Sequence, residues 1–207
     1  MIGVSRALPA VVLLALVGCG SILQPPAPPP ALYRLTPATE FAPGSHAAAQ
    51  QLAIDTPMAE AALDTTRIAL SRHPTTLDYF ADSAWTDRLT MIVQARLIDS
   101  FDNSHRLAAV GPQGGTLHVE VVLVPELRHF EAVYDGASGP PHWQIELAVQ
   151  LVKLPERTLL AERDFHGDEP AARNELSAIV EAADQAWRGV AKDVVDWTTD
   201  RLAQAAR

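Results

Sequence analysis

The sequence predicts an α+β domain, a two-layer sandwich in which a mostly antiparallel sheet carries two amphipathic helices on one face. Three observations lead there. Short apolar runs precede residue 82, a central stretch alternates with period two, and two segments show helical periodicity, the second closing the chain. With 207 residues, 48% of them apolar, the chain can bury one core of ordinary size. The net charge of −9 comes without a Lys/Arg cluster, so nucleic acid is not an expected partner. Such a protein gains no electrostatic hold on anionic lipid either, and any membrane attachment must come from an anchor.

The amino-terminal segment stands outside that domain. Arg6, the apolar run Ala7 to Val17 interrupted by Pro9, and the small Gly18 form the three parts of an export signal. The run is about half the ~20 residues that span a bilayer, so a cleaved leader is expected and not a permanent transmembrane helix. Arg6 is the leader's one charged residue, and its removal takes the charge to about −10. Cys19, the single cysteine of the chain, follows directly. Leu16-Val17-Gly18-Cys19 resembles the bacterial lipobox. That resemblance implies that the Cys19 thiol takes a diacylglyceryl group, that the leader is cut before it, and that the new amine is acylated. Several chains are needed because one binds only reversibly, each buried CH₂ adding about 0.8 kcal/mol. Gly20, where an Asp would stand for retention, resembles the enteric pattern sorted to the outer membrane. The proline-rich stretch Gln24 to Pro30 reads as a polyproline II spacer holding the domain roughly 20–40 Å from the bilayer. The expected division is therefore a leader at 1–18, an acylated cysteine and tether at 19–31, and one domain at 32–203.

Within the domain, Leu32-Tyr33-Arg34-Leu35 and Leu52-Ala53-Ile54 read as short strands. Arg67 to Leu70 and Thr76 to Phe80 read as a hairpin around His73-Pro74. A helix is expected to start near Asp82 or Ser83, either of which can cap it, with Trp85, Leu89, Ile92, Val93, Leu97 and Phe101 on its buried face. Leu107 to Val110 is a short strand ended by a turn at Gly111-Pro112-Gln113-Gly114-Gly115. Leu117, Val119, Val121 and Leu123 alternate with polar residues, Pro125 interrupts, and beyond Leu127 the apolar phase moves to Phe130, Ala132 and Tyr134. A change of phase within one strand predicts a bulge near Arg128-His129. Trp143, Ile145, Leu147, Val149 and Leu151 give the clearest strand, and Leu159 to His166 returns as the next. Asn174 can cap the last helix, whose stripe runs through Leu176, Ile179, Val180, Ala183, Trp187, Val190, Val194 and Trp197. Part of that stripe is close to a heptad, but packing onto the sheet explains it better than a coiled-coil partner.

The chain offers little chemistry. The glycine-rich turn lacks the Lys-Ser/Thr of a phosphate loop, and there is no Gly-x-Ser-x-Gly, His-Glu-x-x-His or acidic calcium loop. His118 with Glu120 and His142 with Glu146 each project from one side of a strand, and paired strands would bring all four to one face, where a metal is conceivable. A solvated face of a one-sided sheet accounts for them more simply. Asp99 and Asp102 read as helix-end surface acids, and Trp85, Trp187 and Trp197 as core residues. No catalytic residue, metal site or cofactor is expected.

Several short blocks, in order, resemble the ABC-type transport auxiliary lipoprotein family, the PqiC-like subunits of MCE lipid-transport systems. They are the lipobox at Cys19, Leu32-Tyr33-Arg34-Leu35, Leu63-Asp64-Thr65-Thr66-Arg67-Ile68 and Leu77-Asp78-Tyr79-Phe80 leading to Trp85. Leu127-Arg128-His129-Phe130-Glu131, Leu159-Leu160-Ala161-Glu162-Arg163-Asp164-Phe165 and the tryptophan-bearing last helix follow. Ser83-Ala84 departs from the basic or amide residue that relatives often carry before the tryptophan, so a partner contact made there would differ. The resemblance implies a non-catalytic lipoprotein at the outer membrane, facing the periplasm. Its partners would be the bilayer through the anchor, an MCE-domain protein, an ABC permease and its ATPase, and further copies of the chain. Together they would move phospholipid or similar hydrophobic molecules between membranes. The alternatives are a periplasmic carrier holding an acyl chain between sheet and helices, an assembly factor for another envelope machine, or a hydrolase using the His/Glu pairs.

Overall fold

A computed structural model describes residues 29–115, 119–136 and 139–205. The chain forms β1 (Ala31–Tyr33), β2 (Ala47–Ile54), β3 (Met58–Ala59), β4 (Ala69–His73), β5 (Thr76–Tyr79) and β6 (Ser83–Trp85), then α1 (Leu89–Ser104). It continues through β7 (Leu107–Pro112), β8 (Val121–Val133), β9 (His142–Lys153) and β10 (Thr158–Pro170), and closes with α2 (Leu176–Ala205). The fold is α+β, as expected.

The sheet is built on β8, β9 and β10, which pair antiparallel along nearly their whole lengths. β9 shows why they form. Trp143, Ile145, Leu147, Val149 and Leu151 are all at most 1% exposed, while the residues between them face away from the helices. In β8 the inward residues are Val121, Leu123 and Leu127 and then Phe130 and Ala132, and the register with β9 slips between Leu127 and His129. The predicted bulge is therefore present, and the strand runs through Pro125, which stands opposite Val149.

The second edge of β8 is shared by three short parallel strands, β2 at Val121 to Leu123, β3 at Glu126-Leu127 and β4 at Ala132-Val133. β7 adds parallel to β2, and β5 completes the hairpin with β4. The long ladders are thus antiparallel, as predicted, whereas the parallel additions are not visible in the sequence. The strands that make them are too short to show a period, and their partners are distant.

The first helix differs from its predicted start. Ser83–Trp85 is strand β6, paired parallel with β1, and Asp82 before it takes a left-handed turn with φ of 51°. Trp85 lies four residues before Leu89, which matches helical spacing by coincidence. It is buried to 2% from a strand. Leu89, Ile92, Val93, Leu97 and Phe101 do form the buried face of α1. α1 has no side-chain cap of its own at its first residue. The Leu89 N–H donates instead to the Thr65 carbonyl, the Thr90 hydroxyl donates to Asp64 at 2.6 Å, and Arg88 pairs with Asp64. In α2 the first helical bond runs from the Ile179 N–H to the Glu175 carbonyl, and the Asn174 side chain accepts from the Tyr134 hydroxyl at 2.9 Å. The stripe Ala183, Trp187, Val190, Val194 and Trp197 packs on the sheet.

Both helices lie on one face of the sheet and touch each other. Between the layers Trp85, Phe130 and Trp143 meet edge-on, with centroids 5.3–6.1 Å apart, and Trp187 adds to them. Such contacts add about 0.5–1.5 kcal/mol each beyond area burial. Across the opposite face, Ala53, Val122 and Val152 form a short apolar row through three adjacent strands.

Candidate functional site

Three places are candidates, and the first is the amino-terminal edge of the described domain. The Ala31 N–H donates to the Asp82 carbonyl at 2.9 Å and anchors β1 beside β6. Beyond β1 the chain becomes a strap over the helix layer. The Thr36 N–H and hydroxyl donate to Asp184 of α2 at 2.6–2.9 Å, the Ala38 N–H donates to the Ser100 hydroxyl of α1 at 3.0 Å, and Asn103 donates to the Ala38 carbonyl. Leu35 and Ala38 seal the strap, exposed by 1% and 3%. Its far end is held by Arg106, which donates to the Ala42 carbonyl and pairs with Asp196 of α2 at 2.5 Å. Burial pushes the Asp196 carboxyl up, but Lys192 and Arg106 outweigh it and hold the group below its ordinary value. The lipobox residues Leu16, Val17 and Gly18 and the expected lipidation site Cys19 lie outside the described residues.

The second place is the helix-free face of the sheet, where outward side chains of β8, β9 and β10 form rows of charge. Arg128 bridges the strands, reaching Glu146 at 3.1 Å, Glu126 at 3.3 Å and Asp164 at 3.4 Å. The hydrogen bond to Glu146, helped by the charges of Asp164 and Glu126, raises the guanidinium above its already high ordinary value. His142 stands between Asp135 at 3.1 Å and Asp168 at 3.5 Å. The sequence allowed the two His/Glu pairs to share one place, and the register corrects this. Glu120 adjoins the Val121 end of β8, opposite Lys153 of β9, while His142 pairs with Val133 at the other end. Glu146 is engaged by Arg128, and His118 lies outside the described residues. Among the described residues no three His, Cys, Asp or Glu side chains are arranged to hold a metal ion.

The third place is a gap along β8. Between β3 and β4 no strand among the described residues accompanies Arg128 to Glu131 on that side. A concavity of about 630 Å³ opens there, with Met58, Leu63, Pro74, Leu77 and Leu127 among its walls, and a second of about 500 Å³ adjoins it across Ser71, Pro74, His129 and Glu131. The Glu131 carboxylate takes the place of the missing strand, accepting the Phe130 N–H at 2.6 Å and lying 2.9 Å from His129 Nδ1. Glu131 is 6% exposed. Sequence reading placed it only at the end of the block Leu127-Arg128-His129-Phe130-Glu131 and gave it no role, although the change of phase at the bulge marks the spot.

The remaining sequence candidates are structural. Gly111 to Gly115 ends β7 and turns, with Gly114 at φ of 83°. Asp99 pairs with Arg96 on the helix surface, and burial followed by Asp99 raises the Asp102 carboxyl. Trp85, Trp187 and Trp197 are core residues exposed by 2%, 0% and 7%. Aromatic rings and aliphatic side chains fill the space between sheet and helices where a carrier would hold an acyl chain. No helix among the described residues is long and apolar enough to cross a membrane.

Comparison with known proteins agrees with this anatomy. An uncharacterised protein of Bradyrhizobium diazoefficiens is 30% identical over 166 residues, which is 80% of this chain and 44% of that protein, so the chain spans less than half of this relative. The crystal structure of XCC0632 from Xanthomonas campestris superposes with a TM-score of 0.79 at 25% identity, covering 85% of this chain and 98% of that one. The hypothetical protein CT253 from Chlamydia trachomatis shares the fold at a TM-score of 0.50 and 9% identity, covering 75% and 98%. The family model described as "ABC-type transport auxiliary lipoprotein component" matches residues 33–195, from β1 into the last helix. The chain therefore belongs to the ABC-type transport auxiliary lipoprotein family.

Proposed function

We propose that this chain is a non-catalytic, outer-membrane-anchored subunit of a transporter that moves phospholipids or similar hydrophobic molecules between membranes. It works from the periplasmic side with an MCE-domain protein, an ABC permease and its ATPase. The observation that carries the reading is the family match over nearly the whole folded domain, joined to an amino-terminal sequence with the parts of a lipoprotein leader. The anatomy supports it. A strap ties the tether's end to both helices, and the described surface offers charge rows and open grooves in place of an assembled set of reacting groups. The filled interior argues against the carrier alternative.

A pull-down from detergent-solubilised envelopes tests the reading by comparing the native protein with Cys19→Ala. MCE and ABC subunits are expected with the native form and lost or much reduced with the variant. Recovery of neither subunit with the native protein, together with unchanged envelope permeability on deletion, would overturn it.

A further inference from the structure

β10 ends the sheet. Its 13 residues pair with β9 along one side, and among the described residues no strand pairs with the other side. α2 covers only the inner face, where Phe165 is the one residue of β10 that is fully buried. A free edge directs alternate N–H and C=O groups outward, and proteins usually blunt such edges with bulges, proline, brevity or charged side chains. Of these devices the middle of β10 carries only charge. β10 has its register slip at Leu159/Ala161 and its proline at position 170, both at the ends. Between them the pairing with β9 runs unbroken from Ala161 to Pro170. Along this stretch the helix-free side presents Glu162, Asp164 and Asp168 at strand spacing, with His166 among them. Arg128 answers Asp164 and His142 answers Asp168, yet carboxylates remain in excess. At the start of the strand Leu159 and Leu160 stand 49% and 40% exposed.

We propose that the free edge of β10 docks an extended basic segment of a partner protein, which joins the sheet as its next strand. Lys or Arg at alternate positions would lie against Glu162, Asp164 and Asp168, and an apolar residue would cover Leu159 and Leu160. Charge selects this occupant over a second copy of the chain. Two-fold antiparallel pairing sets residues of one face opposite each other. Registers centred on Glu162, Arg163 or Asp164 place that charge against itself. Centring on Phe165 opposes Glu162 to Asp168, and centring on His166 opposes Asp164 to Asp168. Registers centred on Ala161 or Gly167 escape, but each overlaps only about half of the strand's 13 residues. The proposal deepens the subunit reading and rests on it only for the existence of a protein partner.

The full chain, acylated and held in detergent, is titrated at low salt with labelled peptides the length of β10. One alternates Lys and Val, one alternates Glu and Val, and a third is the Lys/Val peptide with all its central amides N-methylated. The Lys/Val peptide is expected to bind at least about tenfold more tightly than either of the others, and to slow hydrogen exchange at alternate amides between Glu162 and Glu169. Glu162→Lys with Asp164→Lys should reverse the preference toward the Glu/Val peptide; both positions are exposed, and the native protein alone already decides between the peptides. Equal binding of the N-methylated peptide would reduce the effect to charge attraction and overturn the proposal. Exchange already slow without peptide, together with a mass that grows with concentration, would give the edge to a second copy and also overturn it. A positive pull-down with failed peptide binding would leave the subunit reading standing without this docking site.

Discussion

Arg106 carries its charge into the protein at 3% exposure, and it can do so because Asp196, Thr199 and the Ala42 carbonyl surround the guanidinium. Removing the carboxylate strands the cation, so Asp196→Ala is expected to cost about 2 kcal/mol, somewhat below a fully buried pair because Asp196 keeps partial contact with water. Chemical denaturation measures this directly. The same pair sets a pH dependence. The folded state holds Asp196 below its ordinary value, so its stabilisation is complete above that value, about pH 3.9, and is lost as pH falls through the folded one. Urea midpoints compared at pH 6 and pH 3 should fall less in Asp196→Asn than in the native chain. Gly167 makes a second residue-scale case. A Cβ there would sit 2.9 Å from Val190 Cγ2 and 3.2 Å from the Ala186 carbonyl, so Gly167→Ala must push β10 off α2. The expected loss is about 1–3 kcal/mol, read as a lower melting temperature.

α1 shows how an element can depend on residues remote from it in sequence. Asp64 receives Arg88 and Thr90 at the helix start and places negative charge where the helix dipole favours it. Asp64→Ala should cost about 1 kcal/mol and speed exchange in the first turn, which amide exchange would resolve. Legibility divides along the same line between local and distant causes. β9, α2 and the bulge in β8 are readable because each writes its period or its break into neighbouring residues. Trp85 misleads because its environment is set by β1, more than fifty residues earlier in the chain, and by Phe130 and Trp143 further on. Those contacts predict that Trp85→Ala costs about 3–5 kcal/mol, more than loss of a helix-face residue at a rim. The strand segment Leu52 to Ile54 and the hairpin around His73-Pro74 are legible, but β3 and the parallel pairing of β2 and β4 escape reading for the same reason, since each is assigned by a distant stretch of β8. At the candidate sites sequence placed the His/Glu pairs on strands, but only the register reveals that Glu120 and His142 belong to opposite ends. Glu131 and Arg106 were illegible because their importance comes from a missing strand and from a strap crossing the helices.

At the scale of the molecule the strap joins the first described residues to the last element, with Thr36 and Asp184 separated by 148 positions. β1, β2 and the strap between them find their strand and side-chain partners beyond residue 80, in β6, α1, β7, β8 and α2. A chain is made, and delivered across any barrier, amino end first. For most of that passage this region has nothing to close upon, and distant pairings are slow to form. The domain can seat its opening segment only once residue 184 and the rest of α2 have arrived, so the segment made first is the one seated last.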